Sequence, residues 1–191
     1  MQINQKYTHI NKGFTLIELL VTITIAGILF AIAIPSFTSV ITKNRLTAAA
    51  NELITALNFA RSEAVKRGVS VWVRKSGSHW EDGWNVFIDA DGDNVFDPGE
   101  ELLRKYGALE SGYTLRGNNN FTNFIRFTSR GQSNQNGTFY LCDRGGNTTP
   151  APYTAKLIIV NVVGRVRVGK DTDNDGIPND STGSNMSTCR L

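Results

Sequence analysis

Hydrophobic and polar positions follow two different rhythms along the chain. Residues 14–37 form a nearly unbroken apolar run with no Lys or Arg, interrupted by Glu18. As a helix this run would span roughly 36 Å, enough for the hydrocarbon core of a bilayer. A carboxylate inside such a run costs about 2.5–3.5 kcal/mol on insertion scales, so Glu18 needs a partner. Past Pro35 the apolar positions Leu46, Ala50, Leu53, Leu57, Ala60 and Ala64 recur at spacings of three and four, which gives one helical stripe. Asn44, Arg45, Asn51, Glu52, Asn58 and Glu63 cover much of the remainder. Lys66 and Arg67 suit a helix C-terminus, and Gly68 suits the position just beyond it. The pattern predicts one helix over 14–67, apolar in its 14–37 half and amphipathic in its 38–67 half.

From residue 69 the rhythm shortens. Runs at 69–75, 84–89, 101–106, 124–129, 137–142, 155–161 and 165–168 read as strands separated by turn residues. Such spacing predicts a small antiparallel sandwich, so the class is α+β with a β-rich head over 68–191. Trp72, Trp80, Trp84, Phe87 and Phe96 are expected in or at the rim of its core.

Composition narrows the function. Hydrophobic residues make up 40% of the 191, charged residues 19%, and the formal net charge is +3. These values exclude a wholly disordered chain and a polytopic membrane protein. His9 and His79 are the only histidines, no Gly-rich phosphate loop follows a strand, and no GxSxG occurs, so no enzyme is expected.

The charge is segregated. Residues 81–101 hold eight acids and no Lys or Arg, whereas 111–170 hold eight bases (Arg116, Arg126, Arg130, Arg144, Lys156, Arg165, Arg167, Lys170) and one acid, Asp143. The basic half is the expected contact for a polyanion. Its sharpest part is Gly164-Arg165-Val166-Arg167-Val168-Gly169-Lys170. If extended, Val166 and Val168 face the core and Arg165 and Arg167 share the outer face, about 7 Å apart. Successive phosphates on one DNA strand have a similar spacing, and each guanidinium can fork onto phosphate oxygens. The bland alternative is a solvated strand. No aromatic is interleaved, so phosphate contacts with duplex DNA are expected rather than base stacking.

Two acidic loops stand out. Asp89, Asp91, Asp93, Asp97 and Glu100 occupy positions 1, 3, 5, 9 and 12 of an EF-hand-like loop, with Asn94 where Gly is usual. Asn tolerates the left-handed backbone that position needs. Asp171, Asp173 and Asp175 precede Gly176 in a second calcium-like segment. Calcium is an expectation for either loop, and ordinary turn chemistry is the alternative.

Gly13-Phe14-Thr15-Leu16-Ile17-Glu18-Leu19-Leu20 closely resembles the type IV prepilin and pseudopilin signature. The head narrows this to the GspH/FimT group of minor pilins and pseudopilins. The residues that carry it are 80–87 (WEDGWNVF), Gly99-Glu100-Glu101, 127–131 (FTSRG), 139–142 (FYLC) and Gly164-Arg165-Val166-Arg167. The resemblance implies the type IV pilin fold and a leader, 1–13, removed by prepilin peptidase between Gly13 and Phe14. It implies methylation of the new Phe14 terminus, and a Glu18 that neutralises that terminus on a neighbouring subunit. Pro35 falls where major pilins bend the helix. Single-pass insertion in the inner membrane, then assembly with other major and minor pilins into a surface fibre, follows from the same resemblance.

The Gly-Arg-x-Arg pattern is associated with FimT-type pilins that take up DNA in natural transformation. A structural minor pilin or secretion pseudopilin that primes or caps a filament is the rival, and a calcium-dependent adhesin tip a third. An ordinary secretory signal peptide fits less well, because the apolar run is long and holds Glu18. In a head placed outside the cytoplasm, Cys142 and Cys189 are expected to pair, with a free buried pair as the alternative.

Overall fold

The computed structural model describes residues 13–143, 155–172, 174, 177–179, 183, 186 and 189, without the side chains of 33–39 and 119. It falls into two compact units, Met1–Val40 and Ile41–Leu191, and helix α1, Leu16–Arg67, belongs partly to each.

In the first unit α1 is started by Thr15, whose Oγ1 accepts the Glu18 N–H at 3.2 Å. This is one half of a Thr-x-x-Glu capping box, a signal present in the sequence. The large apolar side chains from Leu16 to Ile32 are exposed. Thr22 and Thr24 turn their hydroxyls back onto the carbonyls of Leu19 and Leu20, so neither needs an outside acceptor. Among the described residues no helix is long and apolar enough to cross a membrane. The described side chains of the apolar run stop at Ile32, so the predicted 14–37 run is covered only in part.

In the second unit α1 supplies the predicted stripe. Leu46, Ala50, Leu53, Leu57, Ala60 and Ala64 are all buried, joined by Ala56. Each fully buried Leu contributes about 1.5–3 kcal/mol. Glu63, also buried, is satisfied by Arg67 Nε at 2.6 Å and Lys66 Nζ at 3.3 Å. Gly68, at φ 71°, ends the helix by donating its N–H to the Ala64 carbonyl.

Eight strands follow: β1 Val71–Lys75, β2 Trp84–Ile88, β3 Glu101–Tyr106, β4 Thr114–Gly117, β5 Phe124–Phe127, β6 Gly137–Cys142, β7 Ala155–Val160 and β8 Val166–Val168. They form two antiparallel sheets, ordered β3-β2-β1-β5 and β4-β6-β7-β8. All seven predicted strands are present, some a residue or two shorter. β4 was not expected, because Leu115 is its one buried apolar residue.

Alternation explains the core. Val71, Val73, Trp84, Val86, Ile125 and Phe127 of the first sheet face Leu115, Phe139, Leu141, Ile158 and Val160 of the second and the helix stripe. Trp80 meets Phe139 edge-on at 4.9 Å and donates its indole N–H to the Phe121 carbonyl at 2.8 Å.

Candidate nucleic-acid interface

The Gly164 to Lys170 segment forms a tight turn followed by an edge strand. Asn161 organises the turn. Its carbonyl accepts the Gly164 N–H at 2.9 Å, its Oδ1 accepts the Arg165 N–H at 2.8 Å, and its own N–H reaches the Arg165 carbonyl at 3.2 Å. Gly164 takes φ 78°, a conformation that glycine adopts without penalty. β8 then runs antiparallel to β7 with Arg167 opposite Ile159 and Val166 opposite Val160. β8 is the last strand of its sheet among the described residues, and just past it the Lys170 carbonyl accepts the Asn179 N–H at 2.9 Å.

Arg165, Arg167 and Lys170 are exposed, and none forms an ion pair among the described residues. Val166 packs against the core as the alternation required. Val168, opposite Ile158, does not follow: it is 40% exposed, since among the described residues the sheet ends at β8.

The other predicted bases divide. Arg116 is tied to Glu81, which also accepts the Leu115 N–H, so its charge is neutralised within the head. Arg126 lies over the Trp72 ring at 5.6 Å. Lys156 is half-buried opposite Leu141, and Arg144 lies outside the described residues. Arg130 is exposed beside Gly131.

One residue that the sequence reading passed over holds this corner together. Arg61, on α1, donates Nε to the Gly131 carbonyl at 2.9 Å and Nη2 to the Val163 carbonyl at 3.3 Å. Ser133 N–H to Val162 carbonyl, 3.0 Å, is a second link between the same turns. Nothing local marks Arg61 in sequence, since an arginine beside an apolar stripe is the ordinary solvated pattern.

Cys142, opposite Ala155 at the start of β7, forms a disulfide with Cys189, their Cα atoms 6.0 Å apart. With Ala155, Leu157 and Met186 they make a small apolar cluster on the outer face of the second sheet, flanked by Tyr140 and Ile177. Asn179, buried, receives the Thr172 N–H at 2.6 Å and the Thr172 hydroxyl at 2.9 Å, and donates to the Gly183 carbonyl. Asp171 is described and exposed; Asp173 and Asp175 lie outside the described residues, so the second calcium-like segment is covered only in part.

The first acidic loop is well organised. Asp89 accepts the N–H groups of Gly92 and Asn94, Asp91 that of Asp93, and Asp93 that of Val95. Glu100 closes the loop by accepting from Ala90 and Asp97. Asn94 sits at φ 64°, where its amide oxygen takes the Trp72 indole N–H at 3.1 Å. One ligand atom from each of Asp89, Asp91 and Asp93 lies within 4.8 Å of the others. Burial, then the charges of Asp93, Asp91, Glu100 and Asp89, raise the Asp97 carboxyl above its usual range.

Residues 49–164 match the family described as type II transport protein GspH, and residues 9–34 match the prokaryotic N-terminal methylation motif. The chain is 35% identical over 97 residues to the pilin-like protein PilA1 of Thermus thermophilus, covering 48% of this chain and 56% of that one. A fimbrial protein of Pseudomonas aeruginosa is 42% identical over 60 residues, 31% of this chain and 38% of that one. The chain thus spans about half or less of the curated relatives it matches. The crystal structure of the type IV minor pilin FimU of P. aeruginosa has the same fold, with a TM-score of 0.57 at 21% identity over 76% of this chain and 96% of that one. With a helix on two antiparallel sheets, a methylation motif and a GspH match over more than half its length, the chain belongs to the GspH family of type IV minor pilins and pseudopilins.

Proposed function

We propose that this minor pilin binds duplex DNA through Arg165 and Arg167, with Lys170 alongside, and serves DNA uptake in natural transformation. The observation that carries the reading is that all three cations are exposed at an edge strand and meet no acid among the described residues. Phosphate contacts of this kind bring affinity that falls steeply with salt and little preference for sequence. The leader through Gly13 is removed by prepilin peptidase, and Phe14 becomes the methylated terminus. The exposed apolar face of α1 from Leu16 to Ile32 is held first by the inner membrane and then by neighbouring pilins. Glu18 pairs with the terminus of a neighbour there.

The test is a gel-shift salt titration of the full chain in nonionic detergent. Arg165→Ala with Arg167→Ala should weaken duplex binding and reduce the salt slope by about two units. An unchanged slope in a folded double variant would overturn the reading.

A structural role without DNA has one observation in its favour. The GspH match ends at residue 164, so it does not extend over Arg165 and Arg167. For that role the wild-type chain leaves duplex DNA unshifted at low salt.

We also propose that the 89–100 loop takes calcium through Asp89, Asp91 and Asp93, with Asp97 and Glu100 in reach by loop position. Calorimetric titration with calcium should show one site that Asp91→Asn weakens; no heat above dilution removes the proposal.

A further inference from the structure

The turn that precedes β6 and the turn that precedes β8 meet backbone to backbone. A side chain begun at Gly164 would overlap the Gly131 carbonyl, and both glycines have positive φ, 74° and 78°. Arg61 clamps the pair from the helix side through the Gly131 and Val163 carbonyls. Arg130 immediately precedes Gly131, and Arg165 immediately follows Gly164. With consecutive Cα atoms 3.8 Å apart, this contact keeps the Arg130 and Arg165 Cα atoms within about 14 Å of each other. Two arginine side chains readily span such a gap to phosphates on one strand, which lie roughly 7 Å apart when successive.

Arg130 is exposed, has no ion pair among the described residues, and lies outside the Gly-Arg-Val-Arg segment. The other bases of this half that the structure describes are engaged or half-buried: Arg116 with Glu81, Arg126 over Trp72, Lys156 within β7. Thus Arg130 is the cation that the fold, rather than the sequence, adds to the Arg165 corner.

We infer that Arg130 is a further phosphate contact of the same DNA surface, brought beside Arg165 by the Gly131–Gly164 contact, with Arg61 as the residue that holds the two turns in register. The inference rests on the DNA-binding reading above. It makes the surface two turns wide, so that a duplex lies across both turns instead of along β8 alone. Arg61 is a positioning residue: both of its described bonds go to backbone carbonyls, so it fixes the geometry of the two turns.

The experiment is a salt titration of binding to a 30-base-pair duplex by the full chain in nonionic detergent. It compares wild type, Arg130→Ala, Lys105→Ala, and Arg165→Ala with Arg167→Ala. Lys105 is an exposed cation on β3 of the other sheet, so its removal changes net charge equally and leaves the corner intact. Arg130→Ala should lower the salt slope by about one unit, while Lys105→Ala leaves it at the wild-type value. An Arg130→Ala slope equal to wild type, beside a lowered slope in the double variant, overturns this inference and spares the DNA reading. Equal losses in Arg130→Ala and Lys105→Ala also overturn it, because bulk charge then accounts for the effect. A wild-type chain that leaves the duplex unshifted overturns the DNA reading itself.

Discussion

Both sheets have an outer face to cover, and they do it by opposite means. On the first sheet Trp72 and Phe87 stack at 6.4 Å, and Phe96 meets Phe87 at 5.3 Å. The 89–100 loop that carries Phe96 is held mostly by its own side chains, through six bonds that each span ten residues or fewer, and Trp72 and Arg74 of β1 add two bonds to Asn94. On the second sheet Cys142, Ala155 and Leu157 are covered by Met186 and Cys189, which come from the far end of the chain. Here a covalent bond across a separation of 47 residues does the holding, with Asn179 as a buried polar anchor. A local cover forms with its own turn and tolerates loss of one bond. A distant cover depends on one or two links, because closing a long loop has an entropic cost that each link must offset.

That contrast can be broken most strongly at the disulfide. Cys142→Ser with Cys189→Ser should cost about 4 kcal/mol in the chain-entropy view. Urea unfolding of the full chain, followed by tryptophan fluorescence, reads it, since all three tryptophans belong to the head. A loss under 1 kcal/mol would mean that the apolar contacts alone secure the tail.

A smaller effect, about 1–3 kcal/mol, is expected for Asn179→Ala, which strands the Thr172 N–H. Restoring stability by Asn179→Asp, which keeps the acceptor, would sharpen the assignment to that bond.

The smallest effect is electrostatic and belongs to the local cover. The Asp97 carboxyl is raised in the folded state, so its contribution is present in acid and is lost as pH rises through the folded value. Asp97→Asn should therefore raise the unfolding midpoint near pH 7 and leave it unchanged below about pH 4. The opposite sign would show that Asp97 is held ionised by the loop.

Much of the architecture was legible because apolar spacing determines which face is buried. The stripe from Leu46 to Ala64 and the alternation of Val71, Val73, Ile158 and Val160 follow directly from period. β4 was hidden, since Thr114–Gly117 has one apolar residue and owes its strand to pairing with β6. Arg165 and Arg167 were legible as a pair because the motif is contiguous. Their neighbourhood was not: Gly131 and Val163 lie 70 and 102 positions along the chain from Arg61, the helix residue that joins them. Arg116 misled in the other direction, as charge counting cannot see that Glu81 claims it. The placement of Val168 failed because alternation predicts a side and not a neighbour, and an edge strand has one neighbour fewer.

The Gly131–Gly164 contact also sets how this corner responds to mutation. The arginines are exposed and replaceable without strain, while either glycine loses its backbone conformation with almost any substitution. A saturation scan scored by folding would therefore rank the uncharged glycines as the most intolerant positions of a surface whose proposed chemistry is all charge. If the corner binds DNA as proposed, directed variation has to run through the arginines, where charge can be changed in small steps while the two glycine turns stay nearly fixed.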